Sequence, residues 1–242
     1  MPAQKYVEIY RELKEMIEEG RYPAETCIPT EYALVDRYKC SRNTIRRAIH
    51  QLQEIGYVQS IHGKGVVVIY RKDYDRVQQT SDRIESSTAY YSRRNTRTEV
   101  QVLELRHYRA GEQETAMGFR KDQRLCFVKR LRLVEGTPDA IECAWFPEEK
   151  VKGITTEIAQ NSIYEYIGSV LGQKIISSKR QITVEVATED DLRYLDPAPA
   201  NCLGVITSRS FNADGTMIEY SQMRKVPQTF VYSTIARQQK LK

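Results

Sequence analysis

The sequence predicts an α+β protein in two parts, a small N-terminal domain of three helices and a basic hairpin, followed by a larger domain around a largely antiparallel sheet. Three observations carry that prediction. Two short helical patterns, opened by Thr30 and Ser41, run into a hairpin with the tip His62-Gly63-Lys64-Gly65. Residues 72–85 are then polar and free of glycine, the character of a linker. From residue 100 onward, β-branched runs are separated by turn signals and by two capped helix starts, at Ser162 and Thr188.

Taken in order, Tyr6, Ile9, Tyr10, Leu13, Met16 and Ile17 mark an amphipathic first helix that closes near Gly20. Pro29 keeps Ile28 extended, and Thr30 caps a short second helix with Ala33, Leu34 and Tyr38 on one face. After the turn at Lys39-Cys40, Ser41 caps a third helix. Its apolar positions Ile45, Ala48, Ile49 and Leu52 face the core, so Arg42, Asn43, Arg46 and Arg47 face outward. Gly56 ends this helix, and residues 57–61 and 66–70 read as two strands joined by the glycine-flanked tip. A helix-turn-helix followed by such a wing reads DNA. Arg and Asn forks match guanine and adenine edges in the major groove, Thr44 suits a phosphate or a thymine methyl, and Lys64 reaches a backbone phosphate or the minor groove. The expected DNA-contacting set is Thr30, Glu31, Tyr32, Ser41, Arg42, Asn43, Thr44, Arg46, Arg47, His62, Gly63 and Lys64.

Charge follows the same division. Residues 1–36 hold four Lys or Arg against eight Asp or Glu, and residues 37–71 hold seven against one. The whole chain of 242 residues carries only +5, too little for indiscriminate nucleic-acid binding and adequate where the cations cluster. No run approaches the ~20 apolar residues that span a bilayer, and no cleavable leader pattern opens the chain, so a cytoplasmic protein without membrane contact is expected. Five cysteines, Cys27, Cys40, Cys126, Cys143 and Cys202, show no C-x-x-C spacing, and the three histidines are far apart. Neither a disulfide framework nor a metal site is suggested. The chain lacks G-x-S-x-G, H-E-x-x-H and a glycine-rich phosphate loop, so neither catalysis nor a cofactor is expected.

The second part expects strands at 100–108, 126–134, 140–146, 175–186, 203–211 and 217–226, with a last one at 230–235. A helix at 162–171, opened by Ser162 with Glu165 completing the capping box and closed by Gly172, precedes the long strand, and a short helix capped at Thr188 follows it.

The runs Ile28-Pro29-Thr30-Glu31, Ser41-Arg42-Asn43-Thr44-Ile45-Arg46-Arg47-Ala48 and Gly63-Lys64-Gly65 resemble the winged-helix signature of the GntR family of bacterial regulators. The runs Lys129-Arg130-Leu131-Arg132, Ile141-Glu142, Ser162-Ile163-Tyr164-Glu165-Tyr166-Ile167 and Ile218-Glu219-Tyr220-Ser221 are similar to the effector domain of its HutC branch. The resemblance implies a winged helix-turn-helix DNA-binding domain (1–71), a linker (72–85), and a chorismate-lyase-like UTRA domain without enzymatic activity that binds an effector and dimerises (86–242). It implies a homodimeric repressor on double-stranded operator DNA, released by a small metabolite. Sugar-operon relatives point to a sugar phosphate such as trehalose 6-phosphate. N-acetylglucosamine or glucosamine 6-phosphate, or another small acidic metabolite, is the alternative, and a small-molecule enzyme fused to a DNA-binding module the remote one.

The residues favour a phosphorylated ligand independently. Arg130 and Arg132, two apart on a strand, project from one face as a two-pronged anion clamp. Ser162 and Tyr164 sit at a helix N-terminus, where free N–H groups and the dipole favour phosphate. The resemblance adds the Ser86-Ser87-Thr88 loop as a source of hydroxyls and amides. It also matches Glu142 and Glu219 to acceptors of sugar hydroxyls, with Tyr220 and Arg224 as further candidates on the Glu219 strand. Alternating arginines also fit a solvated sheet face, Ser162 a plain helix cap, and Glu142 a structural ion pair. Their joint occurrence favours a binding cleft.

Overall fold

The computed structural model describes residues 2–71, 79–80, 84–92 and 94–233. The chain divides into two compact units, residues 1–82 with 232–242, and residues 83–231.

In the first unit, α1 (Pro2–Glu18), α2 (Glu31–Tyr38) and α3 (Arg42–Glu54) precede a hairpin of β1 (Val58–Ile61) and β2 (Gly65–Val68). The caps are those the sequence offers. Thr30 Oγ1 accepts from the Ala33 amide and Ser41 Oγ from the Thr44 amide, both at 3.2 Å. Lys39 closes α2 in a left-handed conformation (φ 47°), which turns the chain into α3. Ile9, Leu13, Leu34, Ile45, Ala48, Leu52, Val58 and Val68 form one core, so the apolar side of α3 is buried and its cationic side is outside. Antiparallel pairing from Val58↔Val68 to Ile61↔Gly65 sets the wing. At the tip Gly63 (φ +76°) and Gly65 (φ +113°) adopt conformations that side-chain-bearing residues rarely enter. The unit also holds β3 (Gln79–Thr80). A strand there departs from the linker expected at 72–85, whose residues 72–78 and 81–83 lie outside the described residues.

The second unit runs α4 (Ser87–Ser92), β4 (Thr98–Arg109), α5 (Glu112–Met117), β5 (Arg124–Val134), β6 (Thr137–Pro147), α6 (Thr156–Gln160), α7 (Ile163–Ser169), β7 (Ile175–Val186), α8 (Glu189–Leu192), β8 (Cys202–Asn212) and β9 (Met217–Lys225). Six strands form one antiparallel sheet in the order β4-β5-β6-β9-β8-β7. The β5–β6 hairpin is tighter than the strands expected at 126–134 and 140–146 leave room for. Glu135 (φ 49°) and Gly136 (φ 79°) are both left-handed, a two-residue turn that leaves Val134 paired with Thr137. Helices α6 and α7 pack Ala159, Ile163 and Ile167 over Val128, Ala144 and Phe146 on one sheet face. The other face buries Leu131, Ile141, Leu203 and Val205 with Leu195. The expected final strand is shorter than 230–235: β10 (Tyr232–Ser233) runs parallel to β3 and groups with the first unit.

Among the described residues, three helices were not anticipated. Residues 86–88, expected as a loop, instead open α4, where Ser86 Oγ accepts from the Ala89 amide at 3.1 Å. Helices α5 and α6, of six and five residues, are too short to show a helical repeat.

Candidate functional site

The outer side of the helix-turn-helix carries two classes of cation. Arg46 is held, its Nε lying 2.9 and 3.1 Å from the two carboxylate oxygens of Glu31, across from α3 to the first turn of α2. Arg47 is turned towards α1, its guanidinium 4.3 Å from the centre of the Tyr6 ring. Arg42, Asn43 and Lys64 are exposed and, among the described residues, have no side-chain hydrogen bond or ion pair. Ser41 and Thr44 bond each other through their hydroxyls (2.9 Å) at the same helix start. Tyr32 is 73% exposed, unusual for a tyrosine on a packed helix. His62 and Gly63 lie exposed at the tip, and the Gln53 amide donates to Ser60 Oγ (3.0 Å), joining α3 to the wing.

In the second unit the sheet brings Arg130, Arg132, Glu142 and Glu219 to one face. Arg130 lies directly across from Glu142, and strand alternation puts Arg132 on the same side. Arg132 is 2% exposed and donates from Nε and Nη2 to the two oxygens of Glu142 (2.8 and 3.2 Å), while Arg130 Nη2 approaches Glu142 Oε2 at 2.7 Å. Arg130 Nη1 also donates to the Ala159 carbonyl at 3.2 Å, reaching α6. Both guanidiniums retain a buried nitrogen without a hydrogen-bond partner, Nε of Arg130 and Nη1 of Arg132. Such a donor is costly unless something accepts from it.

Two helix starts meet beside these arginines. Ser162 caps α7 by accepting from the Glu165 amide and donates to Ser86 Oγ, the cap of α4, at 3.3 Å. Ser87 hydrogen-bonds Glu142, and Thr88 follows in the same turn. Tyr164, on α7, donates to Glu219 Oε2 at 2.5 Å, and Ser210 on β8 donates to the same oxygen at 2.8 Å. Ser210 carried no sequence signal. It joins because it faces Glu219 across β8 and β9.

The two carboxylates titrate in opposite directions. Burial pushes Glu142 up, but Arg130, Arg132 and the Ser87 hydroxyl outweigh it and hold the group down at about 2. For Glu219, burial prevails over Tyr164 and Ser210, and its pKa is raised. Glu142 is thus shared between two arginines in a buried place. Behind Arg132, Asp139 pairs with Lys225 at 3.0 Å, accepts from the Tyr91 hydroxyl of α4 at 3.0 Å, and also accepts from Thr229. Burial beside Asp139 pushes the Tyr91 hydroxyl far up.

Tyr220 and Arg224 do not join this cluster. Each neighbours a residue of the site face and so projects from the opposite side of β9. Tyr220 packs edge-on against Trp145 at 5.6 Å, and Arg224 pairs with Asp191 on α8 (2.9 and 3.0 Å).

Residues 5–68 match the family described as bacterial regulatory proteins, gntR family, and residues 93–230 match the UTRA domain. Over 250 residues the chain is 29% identical to the HTH-type transcriptional regulator TreR of Bacillus subtilis (strain 168), spanning 99% of this chain and 100% of that protein. The crystal structure of the possible transcriptional regulator YydK from Bacillus subtilis superposes with a TM-score of 0.79 at 23% identity, covering 96% of this chain and 99% of that one. The effector binding domain of the Bacillus subtilis trehalose repressor gives a TM-score of 0.54 at 26% identity, over 59% of this chain and 99% of that domain.

Proposed function

The chain belongs to the GntR family of bacterial regulatory proteins, as a DNA-binding transcription regulator with a UTRA domain of the HutC type, and from that premise we propose that it is a repressor released by a phosphorylated disaccharide of the trehalose 6-phosphate kind. The observation that carries this reading is the pair of buried, unsatisfied guanidinium nitrogens on Arg130 and Arg132. Two helix starts reach the same cluster, since Ser87 hydrogen-bonds Glu142 and Arg130 Nη1 lies 3.5 Å from the Asn161 carbonyl, next to the mutually bonded Ser86 and Ser162 hydroxyls. A phosphate supplies acceptors for these donors. Glu142, Tyr164 and Glu219 offer acceptors and a hydroxyl suited to a sugar. The trehalose repressor whose effector domain shares this fold favours a disaccharide. The test is fluorescence anisotropy of a preformed operator complex titrated with trehalose 6-phosphate, glucosamine 6-phosphate and unphosphorylated trehalose. Release by the first alone is expected, and release by trehalose as readily as by its phosphate would overturn the reading.

We assign DNA reading to residues 1–71, and effector binding and pairing of two copies to residues 86–242, with 72–85 joining them. One winged helix reads a half-site, and a two-fold dimer doubles both contacts and specificity on a near-palindromic operator. Base reading falls to Arg42 and Asn43, since Arg46 and Arg47 are drawn to Glu31 and Tyr6, and Lys64 at the wing tip meets the backbone. Arg42→Ala is therefore expected to cost about 1–3 kcal/mol on operator and to relax specificity, whereas Lys64→Ala weakens all sequences alike and lowers the salt slope by about 1. Binding curves on operator and scrambled DNA at several salt concentrations check both. Equal losses on the two DNAs for Arg42→Ala would remove it from base readout.

A further inference from the structure

The two edges of the six-stranded sheet are unlike. Edge strand β4 is guarded in the usual ways: its register shifts between Val102 and Glu104, its exposed positions include Glu99, Glu104 and Arg106, and no exposed large apolar side chain lies on it. Edge strand β7 has none of this protection over its second half. It runs twelve residues and pairs regularly with β8 from Ser177 to Val186. It also presents Ile182, Val184 and Val186, which are 37%, 70% and 70% exposed and alternate along one face. An unpaired ladder flanked by such a stripe is a template for another strand.

We propose that β7 is the edge through which two copies of the chain join, strand against strand about a two-fold axis through Val184, so that two six-stranded sheets become one. This rests on the dimeric reading above and names its surface. The strand's own sequence selects the occupant. Lys174, Lys179 and Arg180 lie towards its start, and Glu185, Glu189 and Asp190 at or just beyond its end. Antiparallel addition of a second copy sets the basic end of one strand against the acidic end of the other, whereas parallel addition stacks like charges. About Val184 the stripe is self-complementary: Val184 meets its own counterpart, and Ile182 meets Val186 in both directions. At the basic end Lys179 is exposed and, among the described residues, has no salt-bridge partner within its own chain.

The experiment uses the full chain and sedimentation velocity across a concentration series, with circular dichroism to confirm folding. Val184→Lys places two ammonium groups face to face at the axis and is expected to raise the dimer dissociation constant about 100-fold. Val184 is exposed in the single chain, so the variant should fold as the parent does. Val184→Cys is expected to give a covalent dimer on mild oxidation, because directly opposed Cβ atoms in an antiparallel pair come within disulfide reach. Gln101→Cys on the β4 edge should cross-link no more than the parent chain with its own cysteines. If the parent is a dimer, Val184→Lys dissociates as the parent does, and Val184→Cys gives no added cross-link, then the copies join elsewhere. The β7 assignment then falls while the dimeric reading stands. A parent chain monomeric at high micromolar concentration overturns both.

Discussion

Arg132→Ala is expected to destabilise the second unit by about 3–5 kcal/mol, because it leaves the buried Glu142 charge with only Arg130 to balance it. Arg132 is the largest of the fully buried side chains among the described residues, so the truncation also opens a cavity beside Tyr91 and Asp139. Urea unfolding of single and double variants separates these effects. Replacing both partners, as in Arg132→Met with Glu142→Gln, should recover part of the loss, since no buried carboxylate is then stranded and the charge left without its acid is that of Arg130, which is 14% exposed. A loss under about 1 kcal/mol for Arg132→Ala would show that the pair is not a structural element.

The same pair sets an acid limit. Glu142 titrates at about 2 in the folded chain, below the carboxylate range of an unfolded one. Its stabilisation is therefore complete above the unfolded value and is lost as pH falls towards the folded one, on the order of 3 kcal/mol in all. Glu219 acts in the other direction. Its pKa is raised, so the folded chain holds that proton longer than the unfolded chain, and stability from this group falls as pH rises through the two values. Glu219→Gln should thus steepen the loss of stability on acidification, as the remaining dependence belongs to Glu142 and its like.

What the sequence disclosed and what it hid divide along physical lines. The helix-turn-helix and wing were legible because each boundary depends on a local device, the Thr30 and Ser41 caps, the Gly56 stop and the glycine-flanked tip, all realised in the structure. Arg130 and Arg132 were legible as a same-face pair because strand periodicity fixes side-chain direction. Their burial was not, since it depends on Ala159 and Glu142 arriving from elsewhere in the chain. The same periodicity separates Tyr220 and Arg224 from Glu219 on β9; likeness of motif had grouped them. Helix α4 was hidden because Tyr90 and Tyr91, both buried, stabilise it through tertiary packing rather than through a helical repeat of its own. Ser210 was hidden because only the pairing of β8 with β9 places it against Glu219.

On the function proposed above, Arg130→Ala is expected to bind operator as the parent does and to be released by trehalose 6-phosphate only at about 30- to 100-fold higher concentration. Arg130 suits this role better than Arg132, being 14% exposed at its side chain against 2%, so it is reachable by a ligand without unfolding its surroundings. Removing it deletes one unsatisfied donor and one positive charge from the cluster and leaves Glu142 its two bonds to Arg132. A charge-assisted contact of this kind corresponds to about 30- to 100-fold in ligand affinity. A ligand shifts an equilibrium only by its differential affinity for the two states, so that loss moves the release curve to correspondingly higher concentration. Linkage adds a second requirement: in the parent chain, operator must weaken sugar phosphate binding by the same factor by which the sugar phosphate weakens operator binding. Arg130→Lys keeps the charge without the fork and should lie between the two. Anisotropy titrations of all three chains, with calorimetric binding of the sugar phosphate in the presence and absence of operator, give both sides of the cycle. Undiminished release from Arg130→Ala would make this arginine a structural partner of Glu142 and place the phosphate elsewhere.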